Sequence, residues 1–409
     1  MRRDASRVAS PSIALLLAAA ILLASCAHEV VPPSGVARSP EAESDEVRLW
    51  AQAGREEAEL EKRVAPYENE VLDQYLTRLG AASTPDDARA PGHPSLTFVV
   101  LPDPTLNAFA MPNGRIYVHT GLLACLENEA QLAMILAREI AHVTERHALR
   151  LVRDGSSEGD LFKLGTAPLS PTATVILGHR LELAATAAIS GYGRDSEREA
   201  DVDGTASLTR AGYDLTEAPK LYALLQKAAK ERGGLETFFL GNPERLAERV
   251  EDTSAAIPAG YVPPAGRSVV DVQEFRMRMR TVVRENARLD IQAERFGLAA
   301  AQLDRVLALT PRDSIAELYY GDLYRLESQR ADDPVDRADD ERKAVERYDR
   351  AATLDPAYAD PFRQLGFLYY QQKDNARART AFERYLALKP DAPDAQRIKE
   401  YLAELDRQD

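Results

Sequence analysis

The chain has 409 residues, of which 45% are apolar and 28% charged, a composition typical of a folded protein with two or three domains. It carries 65 acidic and 51 basic residues, a net charge of −14, and no basic run, which argues against a nucleic-acid partner because phosphate binding needs clustered Lys and Arg. Two cysteines, Cys26 and Cys125, are too few for a disulfide framework.

Residues 1–25 are typical of a targeting segment, with three arginines followed by an apolar run over 13–23 that is too short to span a membrane. Cys26 follows Leu-Ala-Ser, which resembles the lipobox of bacterial lipoproteins. This resemblance implies cleavage before Cys26, lipidation of its thiol and anchoring to a membrane. Ala27, rather than Asp, comes next and favours the outer membrane, with the protein facing the periplasm. The alternative is an ordinary signal peptide with an incidental cysteine.

The composition of residues 26–45, rich in Pro, Ser and Glu, predicts a flexible tether. Apolar residues at helical spacing predict a helix over 46–82. β-Branched and aromatic residues predict strands at 96–101 and 115–119, the second after the turn signal Pro112-Asn113-Gly114. Short strands among long helices predict an α+β domain that is mainly helical.

One long helix is predicted over 128–152, and it contains Arg138-Glu139-Ile140-Ala141-His142. In a helical HExxH motif, two histidines hold zinc and the glutamate acts as the general base. Here Glu139 and His142 are present, but Arg138 stands in the place of the first histidine. Because arginine stays protonated and has no free lone pair, it cannot coordinate zinc.

The ordered motifs resemble family 48 of the zinc metallopeptidases, which includes the prenyl-protein (CAAX) protease and periplasmic, repeat-bearing assembly proteases. The motifs are the run Asn107–Leu123, the segment Glu129-Ala-Gln-Leu-Ala, the segment 139–147, and Glu197-Arg198-Glu199-Ala200-Asp201 on a helix predicted over 196–211. The resemblance implies a gluzincin-like peptidase domain over residues 46–256, with helices around a small sheet and zinc as cofactor if the site is active.

Residue by residue, the resemblance implies that His142 and Glu197 are the remaining metal ligands and that Asp201 orients a ligand. It makes Ile116, Tyr117 and Val118 part of an edge strand that binds an extended polypeptide. A downstream histidine that assists the transition state in the family is also missing. Pro243 occupies its position in an alignment without a gap, and Asn242 occupies it with one.

Two protein ligands are fewer than the three of an ordinary catalytic zinc. We therefore expect the Arg138 guanidinium to replace zinc as the cation among Glu139, Glu197 and Asp201, so that Glu139 is a vestigial base and no cofactor is bound. His147 lies about 140° around a continuous helix from His142 and should face elsewhere. His119, near the cleft, is a conceivable replacement ligand.

Residues 257–270 are predicted to form a linker. The sequence over 271–409 resembles about three tetratricopeptide repeats, which would stack into an α-solenoid. Proline ends corresponding helices at 311, 356 and 390, spacings of 45 and 34 residues that place an 11-residue insertion in the first interval. Small residues such as Gly366 and Ala378 let paired helices approach, and such stacks bind protein partners.

The sequence supports three functions. The first is a lipid-anchored periplasmic protein with a degenerate peptidase site that holds unfolded or assembling envelope polypeptides in assembly or quality control. The second is an active zinc metalloendopeptidase with an unusual ligand set. The third is a scaffold in which only the repeats bind partners.

Overall fold

The structure of the protein is a computed structural model that describes residues 40–89, 92–153, 192–232, 243–264 and 272–408. Cys26, the targeting segment, the tether up to residue 39 and Asn242 lie outside these ranges. Among the described residues, no helix combines the length and the apolar character needed to cross a membrane.

The N-terminal helical region consists of two helices. These are α1 (Pro40–Arg63) and α2 (Glu70–Ser83). Pro66 stands between them and cannot continue a helix, because its nitrogen carries no hydrogen. The backbone N–H of Tyr67 instead donates to the carbonyl of Val100 at 2.8 Å, which ties the connection to the sheet. The prediction of one helix over 46–82 is therefore wrong at residues 64–69, which connect two separate helices.

Three short strands form one sheet in the order β1-β3-β2. Their bounds are β1 (Thr97–Leu101), β2 (Ala108–Ala110) and β3 (Arg115–His119). The central strand β3 runs parallel to β1 and antiparallel to β2, and the turn between β2 and β3 uses Gly114 at φ 92°. The predicted edge-strand residues Ile116, Tyr117 and Val118 are thus central and fully buried, so that prediction is wrong. Their unbroken apolar run suits a strand covered on both faces.

The motif helix is shorter than predicted and lies in the centre of the domain. Three helices follow the sheet, α3 (Thr120–Cys125), α4 (Glu129–Thr144) and α5 (His147–Arg153). The chain turns between α4 and α5 at Arg146, which has φ 55°. The prediction of a single helix over 128–152 is wrong at this turn. Every residue of α4 from Ala130 to Thr144 is buried.

Three further helices complete this domain in the described part of the chain. They are α6 (Arg194–Ala211), α7 (Glu217–Glu231) and α8 (Pro243–Ala255). Helix α6 packs along α4, where a Cβ on Gly204 would meet the side chain of Met134 at 3.1 Å and the backbone nitrogen of Arg138 at 3.5 Å. The glycine therefore permits the close approach that brings α6 carboxylates to Arg138.

The C-terminal part is a stack of antiparallel helix pairs, which confirms the predicted fold class of a mainly helical domain followed by helical repeats. The pairs are α9 (Val272–Gln292) with α10 (Phe296–Leu309), α11 (Ser314–Ser328) with α12 (Pro334–Leu354), and α13 (Ala359–Gln371) with α14 (Asn375–Leu388), followed by α15 (Ala395–Gln408). The 11-residue insertion adds two residues to the first helix of the second pair, two to its loop and seven to α12.

Glycines facing aromatic rings set the spacing within the pairs. A Cβ on Gly321 would lie 2.4 Å from the ring of Tyr348, and one on Gly366 would lie 2.4 Å from the ring of Phe382. The first pair packs differently, since Phe275, Val282 and other residues of α9 join the core of the N-terminal domain. Ala316, Tyr320 and Leu323 of α11 also belong to that core, whereas Leu318 of α11 and the helices after it form a second core. The predicted linker thus precedes helices that share a core with the domain before it.

Candidate functional site

The site forms where α4 and α6 lie side by side. Helix α4 supplies Arg138, Glu139 and His142, and α6 supplies Glu197 and Asp201 one turn apart. All five side chains are buried, and Arg138 and Glu139 have no exposed surface. The structure therefore brings together the residues that the sequence assigned to the centre.

The Arg138 guanidinium binds three carboxylates, one with each of its nitrogens. Nη1 donates to Oε1 of Glu139 at 2.7 Å, and Nε donates to Oδ1 of Asp201 at 3.1 Å. Nη2 donates to Oε2 of Glu197. This geometry uses the planar fork of donors that arginine offers and that no other cationic side chain matches.

A second arginine, which the sequence reasoning missed, completes the cluster. Arg249 of α8 lies 2.6 Å from Oε2 of Glu197 through Nη2 and 3.0 Å from Oδ2 of Asp201 through Nε. Its guanidinium lies 5.2 Å from the ring centroid of Tyr222, whose hydroxyl donates to Oδ1 of Asp201 at 2.6 Å. Arg249 lies six residues after Pro243, close to the position of the missing histidine, and this proximity is the signal in the sequence that could have indicated it.

Burial and charge set the pKa values of the cluster. Burial works against the ionised forms of Arg138 and Glu197, but the attraction between them prevails, so the pKa of Arg138 is raised and that of Glu197 is lowered. Burial raises the pKa of Glu139 to about 8, against the attraction of Arg138. Two guanidinium groups are thus balanced by the carboxylates of Glu197 and Asp201, with Glu139 mainly protonated at neutral pH.

His147 faces His142, contrary to the prediction. Because the chain turns at Arg146, the Nδ1 atoms of the two histidines lie 2.7 Å apart. Nε2 of His147 lies 3.1 Å from Oε2 of Glu199, whose pKa is lowered to about 2 by the hydrogen bond from His147 and by Arg150. This contact uses the Nδ1 atoms of both rings and orients the His142 ring. The other nitrogen of His147 binds Glu199, which lies outside the group of carboxylates around Arg138.

Two atoms of the centre have no hydrogen-bond partner among the described residues, namely Nε2 of His142 and Oε2 of Glu139. Nε2 of His142 lies 4.0 Å from Oε1 of Glu197. Burial, together with the nearby Arg138 charge, lowers the pKa of His142 well below its usual value. The ring is therefore neutral at physiological pH.

Tyr192 links the centre to the outer strand of the sheet. Its ring lies 4.6 Å from that of His142, and its backbone N–H donates to Oε1 of Glu197 at 3.0 Å. Its hydroxyl donates to the carbonyl of Ala110 in β2 at 3.2 Å. The strand beside the centre is therefore β2, which the sequence analysis did not predict, and one of its outward carbonyls is already engaged.

His119 is held in a separate cluster. Its Nδ1 lies 2.8 Å from the hydroxyl of Thr105 and 3.5 Å from Oδ1 of Asp103. Burial, outweighed by the attraction of His119, leaves the pKa of Asp103 lowered. None of these contacts involves the carboxylates around Arg138. Pro243, at the position of the missing histidine, begins α8.

Comparisons with known proteins assign this domain. A family profile described as Peptidase family M48 matches residues 70–257, and one described as Tetratricopeptide repeat matches residues 336–403. The chain carries a peptidase family M48 domain and tetratricopeptide repeats. The resemblance of the sequence motifs to metallopeptidase family 48 and to tetratricopeptide repeats is confirmed.

Curated relatives agree with this assignment. The beta-barrel assembly-enhancing protease of Escherichia coli K12 is 29% identical over 201 residues, which cover 45% of this chain and 39% of that protein. The mitochondrial metalloendopeptidase OMA1 of Schizosaccharomyces pombe is 28% identical over 194 residues, which cover 47% of this chain and 53% of that protein. The matches therefore span about two fifths to one half of the length of these relatives.

The donor set of this M48 domain does not fit zinc. Oε2 of Glu197 accepts from both Arg138 and Arg249, and the position of the first histidine holds a cation without a lone pair. A zinc ion beside two guanidinium groups would meet strong repulsion in a buried site. Across the described ranges, no group of three or more His, Cys, Asp or Glu side chains is arranged to hold a metal ion.

Proposed function

We propose that this chain is a non-cleaving M48 protein of the bacterial envelope that holds unfolded or assembling polypeptides. The observation that carries the proposal is the bonding of Arg138 to Glu139, Glu197 and Asp201. The name of the Escherichia coli relative supports a role near the assembly of β-barrel proteins. Holding without cutting is the activity that the geometry supports best.

The chemistry of the centre argues against hydrolysis. A general base must be deprotonated near its working pH and within reach of the attacking water. Glu139 has a pKa of about 8 and gives one oxygen to Arg138. Arg138 itself can neither bind a Lewis acid nor accept a proton. The residues at the positions of the metal ligands and the general base instead bind one another, and the bonds from Arg138 to Glu197 and Asp201 join α4 to α6.

The proposal extends to location and partners. A lipid on Cys26 would anchor the protein to the membrane, most simply the outer membrane with the folded domains in the periplasm. The repeats would bind protein partners through their stacked helices. The acidic balance of the chain supports partners other than nucleic acids.

The decisive experiment measures zinc content and casein cleavage on mature protein without the signal segment. We expect the wild type to hold no stoichiometric zinc and to leave casein intact, while suppressing the light scattering of a urea-unfolded β-barrel protein after dilution. Arg138→His restores a third metal ligand and should raise zinc content, yet cleavage should stay at background because the downstream histidine is missing.

A second candidate, an active zinc endopeptidase with an unusual ligand set, draws support from the unpartnered Nε2 of His142. Chelator-sensitive casein cleavage by the wild type, lost in Glu139→Gln, would establish it and reject the proposal above. Arg198→Gln is the matched control, since Arg198 pairs with Asp252 on the surface and should leave every readout unchanged.

A scaffold acting through the repeats alone is better tested by surface substitutions than by deletion. The hydroxyl of Thr120 donates to Oδ1 of Asn286 at 3.0 Å, and Nδ2 of Asn286 donates to Oε1 of Gln302 at 2.9 Å, all in buried positions between α3, α9 and α10. Removing residues 267–409 would expose this polar junction and part of the first core. Loss of partner binding in that truncation would therefore not identify the binding surface.

A further inference from the structure

A cleft of about 620 Å³ lies away from the Arg138 centre, where the M48 domain meets the first helix pair of the repeats. Helix α7 forms one wall, α9 and α10 form the others, and the end of α3 closes one side. The apolar side chains that line it and keep exposed surface include Leu224 of α7 and Leu298, Ala301 and Leu309 of α10. The volume suits a short stretch of polypeptide rather than a folded domain.

The cleft is basic although the protein is acidic. The charged residues that line it are Lys227, Arg232, Arg276, Arg280 and Arg305 against Glu127 and Glu231. Arg276, Arg280 and Arg305 form no ion pair with any carboxylate in the described ranges. Arg280 and Arg305 instead donate to the backbone carbonyls of Met277 and Ala124. Carbonyl bonds leave both guanidinium groups without a carboxylate in an ion pair, although the charge of Glu127 attracts Arg305.

We propose that this cleft binds an acidic segment of a polypeptide whose apolar side chains enter between the arginines. Arg276 and Arg280 are one turn apart on α9, about 6 Å along the axis, and Arg305 of α10 lines the same cleft. Cations spread along two walls match carboxylates distributed along a chain, and the apolar surface between them matches the intervening side chains. Guanidinium groups bind carboxylates in a bidentate manner, which adds orientation to charge.

The negative net charge of the protein should direct an acidic peptide to this cleft rather than to the rest of the surface. A chain with a net charge of −14 repels acidic peptides over most of its surface, so attraction is concentrated where basic side chains are unpaired. This proposal takes one element from the proposed holding function, namely that the ligand is a polypeptide. It requires nothing of the Arg138 centre, so the outcome of the zinc and casein experiment does not decide it.

Fluorescence anisotropy on the full mature protein tests the cleft directly. The probe is a short labelled peptide that alternates glutamate with leucine and phenylalanine, and a lysine-for-glutamate version is the charge control. We expect the acidic probe to bind in low salt, the basic version not to bind, and Arg276→Gln with Arg280→Gln to weaken binding about tenfold. Arg276 is exposed, so Arg276→Glu alone serves as a variant that keeps the fold.

Arg288→Gln is the matched control, because Arg288 lies on the same helix outside the cleft and pairs with Glu285. The proposal is overturned if the cleft variants bind the acidic probe as the wild type does, or if Arg288→Gln weakens binding equally. It is also overturned if vesicles of phosphatidylglycerol bind with the same arginine dependence while the peptide does not, since the ligand would then be an anionic lipid. Circular dichroism on each variant confirms folding.

Discussion

The Arg138 centre and the repeat pairs hold helices together by opposite means. In the centre, one guanidinium reaches carboxylates of its own helix and of a helix about sixty residues later in the chain, in complete burial. In the repeats, Gly321 and Gly366 receive aromatic rings from the partner helix of the same pair. The first contact is electrostatic and distant in sequence, and the second is steric and local.

This difference indicates how each region tolerates change. A buried charge network is stable only while every charge keeps its partner, since an isolated buried ion is costly. A glycine facing a ring depends on space alone, and the cost of filling that space grows with the added volume. We therefore expect the loss of one side chain from the centre to lower the free energy of unfolding strongly. A substitution in the repeats should lower it less and should affect mainly the helix pair that carries it.

The largest effect is expected for Arg138→Met, which keeps most of the volume and removes the charge. Glu197 and Asp201 would then share the single positive charge of Arg249, so the cluster gains uncompensated negative charge, and Glu139 loses the hydrogen bond from Arg138. We expect the free energy of unfolding to fall by about 3–5 kcal/mol, measured by urea denaturation. In Arg198→Met, which breaks an exposed pair, the loss should stay within about 1 kcal/mol. Equal losses in both variants would contradict a central role for the charge.

An intermediate effect is expected for Gly366→Ala. The added Cβ would lie 2.4 Å from the ring of Phe382, so α13 and α14 must separate or the ring must move. We expect a loss of about 1–3 kcal/mol, seen as faster amide exchange in α13 and α14 with α4 unaffected. In Gly54→Ala, where nothing lies within 4 Å, stability should rise slightly because alanine favours the helix. Uniform exchange changes across the chain would contradict local failure.

The third expected effect, that of Glu139→Gln, is on the pH dependence of stability rather than on stability at one pH. Because the pKa of Glu139 rises from 4.5 to about 8 on folding, the folded state keeps a proton that the unfolded chain releases. Its stabilising contribution is complete below pH 4.5 and is lost as pH rises through about 8. Glutamine does not titrate, so the variant should lose less stability than the wild type between about pH 5 and about pH 9.

Chemical denaturation at both pH values measures this difference. The charged and titratable groups that interact with Glu139 are Arg138, Glu197, Arg249 and Tyr192, and all are present in the variant. Glu59→Gln, which alters an exposed pair with Lys62, is the control and should follow the wild type at both pH values. Parallel behaviour of Glu139→Gln and the wild type would show that another group sets the dependence.

Much of the architecture could be predicted from local patterns. The sequence shows that Arg138 stands in the place of a histidine and that Glu197 and Asp201 lie one turn apart on a helix. It also shows the repeat spacing that ends at Pro390. Each depends on contacts within a helix or between adjacent helices, where periodicity and residue size determine the neighbours.

Other features required the folded chain. The turn at Arg146 directs His147 towards His142, because a backbone at positive φ ends the helix that periodicity would have continued. The order of strands places β3 in the centre of the sheet, and α8 brings Arg249 to the carboxylates from about fifty residues away. The sequence by itself determined which charges are available in this protein. Only the tertiary structure decided which of these charges form pairs. A buried charge is stable only beside an opposite charge, and the packing of the helices determines which side chains lie close enough.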